Sequence, residues 1–135
     1  MHRRTFLAAA SAIIASPAFA ATGQRYRHGL VEAELAAGKT VFIDFYTDWC
    51  TTCRSQGRTI AKLLADNPAY EQNITFVKVD WDQHASSRLS ARLNIPRRST
   101  LVALKGNQEI GRIVAGTRKA DIKALLDAAL AASVA

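Results

Sequence analysis

The chain is poor in the residues that staple, kink or loosen a protein. Only two cysteines, Cys50 and Cys53, occur among its 135 residues. Three positions apart, they close too short a loop to hold a fold together, so their expected use is chemical. Three prolines and seven glycines are too few for a flexible linker, and no internal repeat is visible. One compact domain is expected. The apolar run from Phe6 to Ala15 has about ten residues against the roughly twenty that a spanning helix needs. His28 and His84 stand at no ligand spacing from the cysteines, and two thiols fall short of the four ligands of a closed zinc site. No resident metal or cofactor is expected. Lysines and arginines are scattered from Arg25 to Lys123, apart from Arg97-Arg98, without the basic stripe and interleaved aromatics that a nucleic acid demands. No nucleic-acid partner is expected.

What is present suits a soluble globular protein: 49% hydrophobic residues, 21% charged, and a net charge of +7. The first twenty residues look like an export signal. Arg3 and Arg4 are followed by the apolar run and then by Ala18-Phe19-Ala20, the small-x-small pattern at which a signal peptidase cuts. Cleavage after Ala20 removes two charges and leaves +5 on residues 21–135. Arg3-Arg4-Thr5-Phe6-Leu7 matches the core of a twin-arginine signal, although the general secretory route also accepts such a segment. Both lead out of a bacterial cytoplasm to the periplasm, where disulfides form and persist.

In the remainder, Leu30–Leu35 suits a short helix stopped by Gly38, and Val41–Tyr46 a buried strand interrupted by Asp44. A helix from Cys50 to about Ala65 ends at Asn67-Pro68. Ile74–Asp80 follows as a strand, Ala85–Leu93 as a helix, and Leu101–Lys105 and Glu109–Ala115 as strands joined by Gly106-Asn107. Asp121–Ala132 closes the chain as a helix whose Ile122, Leu125, Leu126 and Leu130 share one face. The order α-β-α-β-α-β-β-α implies an α/β fold, a mixed central sheet of about four strands with helices on both faces. In such a frame a Cys-x-x-Cys pair is expected to be redox-active.

A strand, then Trp49-Cys50-Thr51-Thr52-Cys53, then a helix places Cys50 at a helix N-terminus, where unpaired N–H groups and the dipole favour its thiolate. Because the thiolate attacks, Cys50 is the candidate nucleophile. Cys53, one turn on and expected to be less exposed, is the candidate resolving thiol, which attacks the mixed disulfide from within. A carboxylate inside an apolar strand is costly to ionise, so Asp44 should titrate high and is the candidate proton acceptor. Trp49 is expected to face a partner beside the dithiol.

Phe42-Ile43-Asp44-Phe45-Tyr46-Thr47-Asp48-Trp49-Cys50-x-x-Cys53 resembles the active-site strand and turn of the thioredoxin family. It is most similar to periplasmic members, particularly the C-terminal domain of DsbD, and the likeness extends over about Val31 to Leu130. The resemblance implies a thioredoxin-like fold and a thiol:disulfide oxidoreductase that reduces exported protein disulfides as a monomer. A membrane electron donor resembling DsbD would supply it. Asp44 then matches the family's buried acid, and Lys78 the lysine that faces that acid. The first family strand is not obvious between Thr22 and His28. Before the fourth strand the family has a cis-proline followed by Thr, whereas this chain has Ile95-Pro96-Arg97-Arg98-Ser99-Thr100-Leu101. Either Ser99 takes the cis-proline place, its peptide relaxing to trans or held cis, or Pro96 serves in a rebuilt loop. Ser99, Thr100 and Arg98 are accordingly candidates for binding the substrate peptide, with Arg97-Arg98 bringing positive charge that suits an acidic partner. The alternative use of the same dithiol is metal handling, as copper(I) or an iron-sulfur cluster shared by two chains.

Overall fold

The computed structural model describes residues 23–135. The proposed signal segment, residues 1–20, lies outside the described residues. In chain order the elements are β1 (Gln24–Arg25), α1 (Leu30–Ala36), β2 (Thr40–Tyr46), α2 (Thr51–Asp66), α3 (Ala69–Asn73), β3 (Ile74–Asp80), α4 (Trp81–His84), α5 (Arg88–Arg92), β4 (Thr100–Lys105), β5 (Gln108–Val114) and α6 (Lys119–Ser133). They build one sheet of order β1-β3-β2-β4-β5. Its β1-β3 and β3-β2 pairs are parallel, and its β2-β4 and β4-β5 pairs antiparallel. None of the described helices is long and apolar enough to cross a membrane.

Strand alternation divides the core between the two faces of the sheet. Val41, Ile43 and Phe45 of β2 join Val77 and Val79 of β3 and Val102 and Leu104 of β4 against Leu30 and Val31 of α1. Phe42, Leu101 and Ala103 point the other way, toward Ile60, Leu63 and Leu64 of α2 and Ile122, Leu125 and Leu126 of α6. Asp44 shares the parity of Phe42. Its carboxylate therefore lies on the face covered by α2, the helix that carries the cysteines.

The sheet has five strands rather than about four. The additional strand is β1, which pairs Gln24 and Arg25 with Val77 and Lys78 and is prolonged by Tyr26 N–H donating to the Lys78 carbonyl at 2.8 Å. Two residues cannot show a period, so the composition gave no sign of it. Gly23 is needed there: at φ +76° it runs so close to β3 that a Cβ would lie 2.4 Å from the Phe76 carbonyl oxygen.

The helix expected over Ala85–Leu93 shortens to α5, and the unforeseen α4 precedes it. Asp80 caps α4 by accepting from Asp82 N–H, and Ser87 caps α5 by accepting from Ser90 N–H. Two caps seven residues apart start two helices. Pro68 opens the unforeseen α3, where Asn67 Oδ1 accepts from Ala69 N–H.

Candidate active site

The site is assembled where the C-terminal end of β2 meets the N-terminus of α2 and the turn before β4. Cys50 is the N-cap of α2, in extended conformation, and its Sγ accepts a hydrogen bond from Cys53 N–H at 3.3 Å. Cys53 is one turn further, on the buried stripe it shares with Gln56, Ile60, Leu63 and Leu64. Both thiols are free. Contrary to the expected difference in exposure, the two residues are equally covered, each 5% exposed.

What separates them is the charge each can carry. Burial pushes the Cys50 thiol up, but the hydrogen bonds from Ser99 and from Cys53 N–H, helped by the nearby Cys53 and Arg98 side chains, outweigh it and bring it down to about 6. Burial pushes Cys53 up, and neighbouring Cys50 adds to this, against hydrogen bonds from Ser99 and the Thr47 backbone. Cys50 is thus the thiolate and Cys53 the thiol near neutral pH.

Ser99 is the polar side chain that touches both sulfurs. Its Oγ lies 3.4 Å from Cys50 Sγ and 2.9 Å from Cys53 Sγ. No cis peptide occurs among the described residues, and Ser99 has φ +62°. The peptide before it is therefore trans, the relaxed form. Its N–H donates to the Phe45 carbonyl at 2.7 Å, a bond proline could not make. Its carbonyl accepts from Ala115 N–H at 2.8 Å and from Gln56 Nε2 at 3.0 Å. Gln56 Nε2 also donates to the Gly116 carbonyl at 2.9 Å, so one buried amide ties α2 to the turn and to the end of β5. Sequence reasoning missed Gln56. Its signal was a polar residue at helical spacing on an otherwise apolar stripe.

Thr100 faces inward: its side chain is buried and its hydroxyl donates to the Arg97 carbonyl at 2.7 Å, closing the turn. Arg98 and Trp49 form the outer edge of the site. The guanidinium carbon is 4.2 Å from the indole centroid, and Trp49, 56% exposed, donates from Nε1 to Asp82 Oδ2 at 2.9 Å. Asp82 was also unforeseen. Pro96 is exposed and Arg97 donates from Nε to the Arg98 carbonyl at 3.0 Å.

Asp44 and Lys78 occupy paired positions on β2 and β3. Burial pushes the Asp44 carboxyl up to about 6, against the lowering charge of Lys78. A cavity of about 30 Å³, room for a water, is lined by both residues together with Gly57 and Ile60. No hydrogen bond joins the carboxylate to either thiol, and its Oδ1 is buried without a partner among the described residues. Among the described residues, no group of three or more His, Cys, Asp or Glu is placed to hold a metal ion.

A buried dithiol at a helix N-terminus, backed by a mixed five-stranded sheet, matches one family throughout: the thioredoxin profile covers residues 21–128. The chain belongs to the thioredoxin family. It is 31% identical over 98 residues to thioredoxin H5 of Oryza sativa subsp. japonica, spanning 73% of this chain and 68% of that one. It is 28% identical to the thioredoxin of Echinococcus granulosus, over 73% and 85% of the two chains. Among solved structures, Trxlp from Edwardsiella tarda superposes with a TM-score of 0.65 at 27% identity, covering 76% of this chain and 96% of that one. Malassezia sympodialis thioredoxin gives 0.63 at 25%, covering 80% and 94%. As in thioredoxins, the activity is thiol:disulfide exchange through Cys50 and Cys53.

Proposed function

We propose that this thioredoxin works as a monomeric reductant of exported protein disulfides in a bacterial periplasm, after cleavage behind Ala20. The observation that carries the redox part is the division of labour in the dithiol, a Cys50 lowered to about 6 beside a Cys53 that is raised. The Cys50 thiolate attacks a substrate disulfide, forming a mixed disulfide and releasing one substrate thiolate. Cys53 then gives up its proton and attacks Cys50 Sγ, and the second substrate sulfur departs with the electron pair. Asp44 takes the Cys53 proton through water, and the released thiolates take theirs from solvent. The substrate is reduced by two electrons and the Cys50-Cys53 disulfide forms. A nucleophile at about 6 is nearer to thioredoxin, about 7, than to the strong oxidant DsbA, about 3.5, which favours reduction.

Export is supported by Arg3-Arg4, the apolar run and Ala18-Phe19-Ala20. A reductant outside the cytoplasm needs electrons. A membrane donor resembling DsbD would supply them. The test is to express the full chain in a bacterium, determine the N-terminus of the recovered protein and its compartment, and assay reduction of a protein disulfide. A chain starting at Ala21 in the periplasm and active as a reductant is expected. A chain retaining Met1 in the cytoplasm contradicts the export part alone.

A further inference from the structure

Ser99 is fastened by its backbone on both sides, through its N–H to Phe45 and through its carbonyl to Ala115 and Gln56. Among the described residues its hydroxyl bonds to the two sulfurs alone, 2.9 Å to Cys53 and 3.4 Å to Cys50. A hydroxyl has one proton to donate and can accept as well. When Cys50 is the thiolate and Cys53 the thiol, one arrangement satisfies both contacts: Cys53 S–H donates to Ser99 Oγ, and Ser99 O–H donates to Cys50. Once Cys50 is bound in a mixed disulfide it carries no charge. The Ser99 proton is then better placed on Cys53, the sulfur that must become anionic next.

We propose that Ser99 is a catalytic residue whose single O–H serves the two sulfurs in turn, holding the Cys50 thiolate before attack and the Cys53 thiolate during resolution. The proposal rests on the exchange assigned above. In the resolving step, Cys53 loses its proton through water to the Asp44 carboxylate while Ser99 O–H turns onto the emerging thiolate. Cys53 Sγ then bonds to Cys50 Sγ, the bond from Cys50 to the substrate sulfur breaks, and the departing thiolate is protonated by solvent. The hydroxyl is neither consumed nor charged; it rotates. Its bond lowers both thiols, which is the direction the proposal requires.

The test compares Ser99→Ala and Ser99→Gly with the parent in the full, reduced chain. Alanine keeps the backbone bonds and deletes only the hydroxyl. Glycine deletes it while relieving the positive φ, so the backbone remains easy to form. The first readout is the pH midpoint of Cys50 alkylation by iodoacetamide. The second is stopped-flow release of thionitrobenzoate from dithionitrobenzoate, in which the first equivalent reports attack by Cys50 and the second resolution by Cys53. Loss of a hydrogen bond to a charged acceptor should move the midpoint upward by about one to two units in both hydroxyl-free variants. It should also slow the second release by about tenfold or more in both. Unshifted midpoints and unslowed second release in both Ala and Gly variants would overturn the role of Ser99. A parent chain that never releases the second equivalent contradicts exchange itself, whereas the alkylation midpoint tests Ser99 without any disulfide.

Discussion

Asp44 and Lys78 lie side by side in the parallel ladder of β2 and β3, yet they form no ion pair within 4 Å; Lys78 Nζ instead sits 4.0 Å from the centroid of the Tyr46 ring. The ammonium group lies over an aromatic face, and Asp44 is left with a buried oxygen that has no partner among the described residues. An acid in that position destabilises the fold whenever it is ionised.

The sign of the effect follows from the direction of the shift. Asp44 is raised from 3.8 to about 6, so between those values the folded chain holds a proton that the unfolded chain has released. Its contribution to stability is intact below about 4, falls as pH rises to about 6, and stays at its lowest above that. Two units correspond to about 3 kcal/mol. Asp44→Asn should therefore raise unfolding free energy at pH 7 by about 1–3 kcal/mol and leave it nearly unchanged at pH 4, as read by urea denaturation at the two pH values. The same variant should slow resolution by Cys53, because the internal proton acceptor is gone.

Arg98 carries two separable roles. Its side chain contributes to lowering Cys50, and its guanidinium over Trp49 puts positive charge on the exposed edge of the site. Arg98→Ala should raise the Cys50 alkylation midpoint. It should also slow reduction of a peptide disulfide flanked by aspartates more than one flanked by lysines. That selectivity should shrink between 0.05 M and 0.5 M salt, because exposed charges are screened over a Debye length. Equal slowing of both peptides at every salt concentration would contradict the acidic preference.

Gln56 is fully buried and its amide spans two carbonyls, those of Ser99 and Gly116. Gln56→Leu keeps the bulk and removes both donors. Gly116 loses that bond, whereas the Ser99 carbonyl retains the Ala115 N–H. A cost of about 1–3 kcal/mol is expected. Hydrogen exchange should accelerate at the Ser99 and Ala115 amides first, with the sheet centre at Ile43 and Val102 changing only as global stability falls.

Much of this was legible in the sequence because period and punctuation agreed. Val41–Tyr46 and Ile74–Asp80 alternate between faces of the sheet, Cys53, Ile60, Leu63 and Leu64 repeat at helical spacing, and Trp49-Cys50-x-x-Cys53 sits at their junction. The short elements β1, α3 and α4 were not legible. β1 is held by pairing with β3, a tertiary contact, and α4 and α5 are divided by the side-chain cap of Ser87. The turn before β4 was legible only as an anomaly: Ser99 stood where proline was expected. That its hydroxyl would reach both sulfurs depends on φ +62° and on the anchoring by Phe45, Ala115 and Gln56, which no local pattern encodes.

Whether Cys50 and Cys53 form a reductant is decided by the reduction potential of that couple, measured on the chain from Ala21 onward by equilibration with glutathione buffers. A nucleophile at about 6 favours the reduced form somewhat more than thioredoxin's own thiol does. A value between about −270 mV and about −200 mV is therefore expected. A value near −120 mV, the poise of a strong oxidant, would contradict it, as would failure of the two cysteines to form a disulfide, which would favour copper(I) or cluster binding instead.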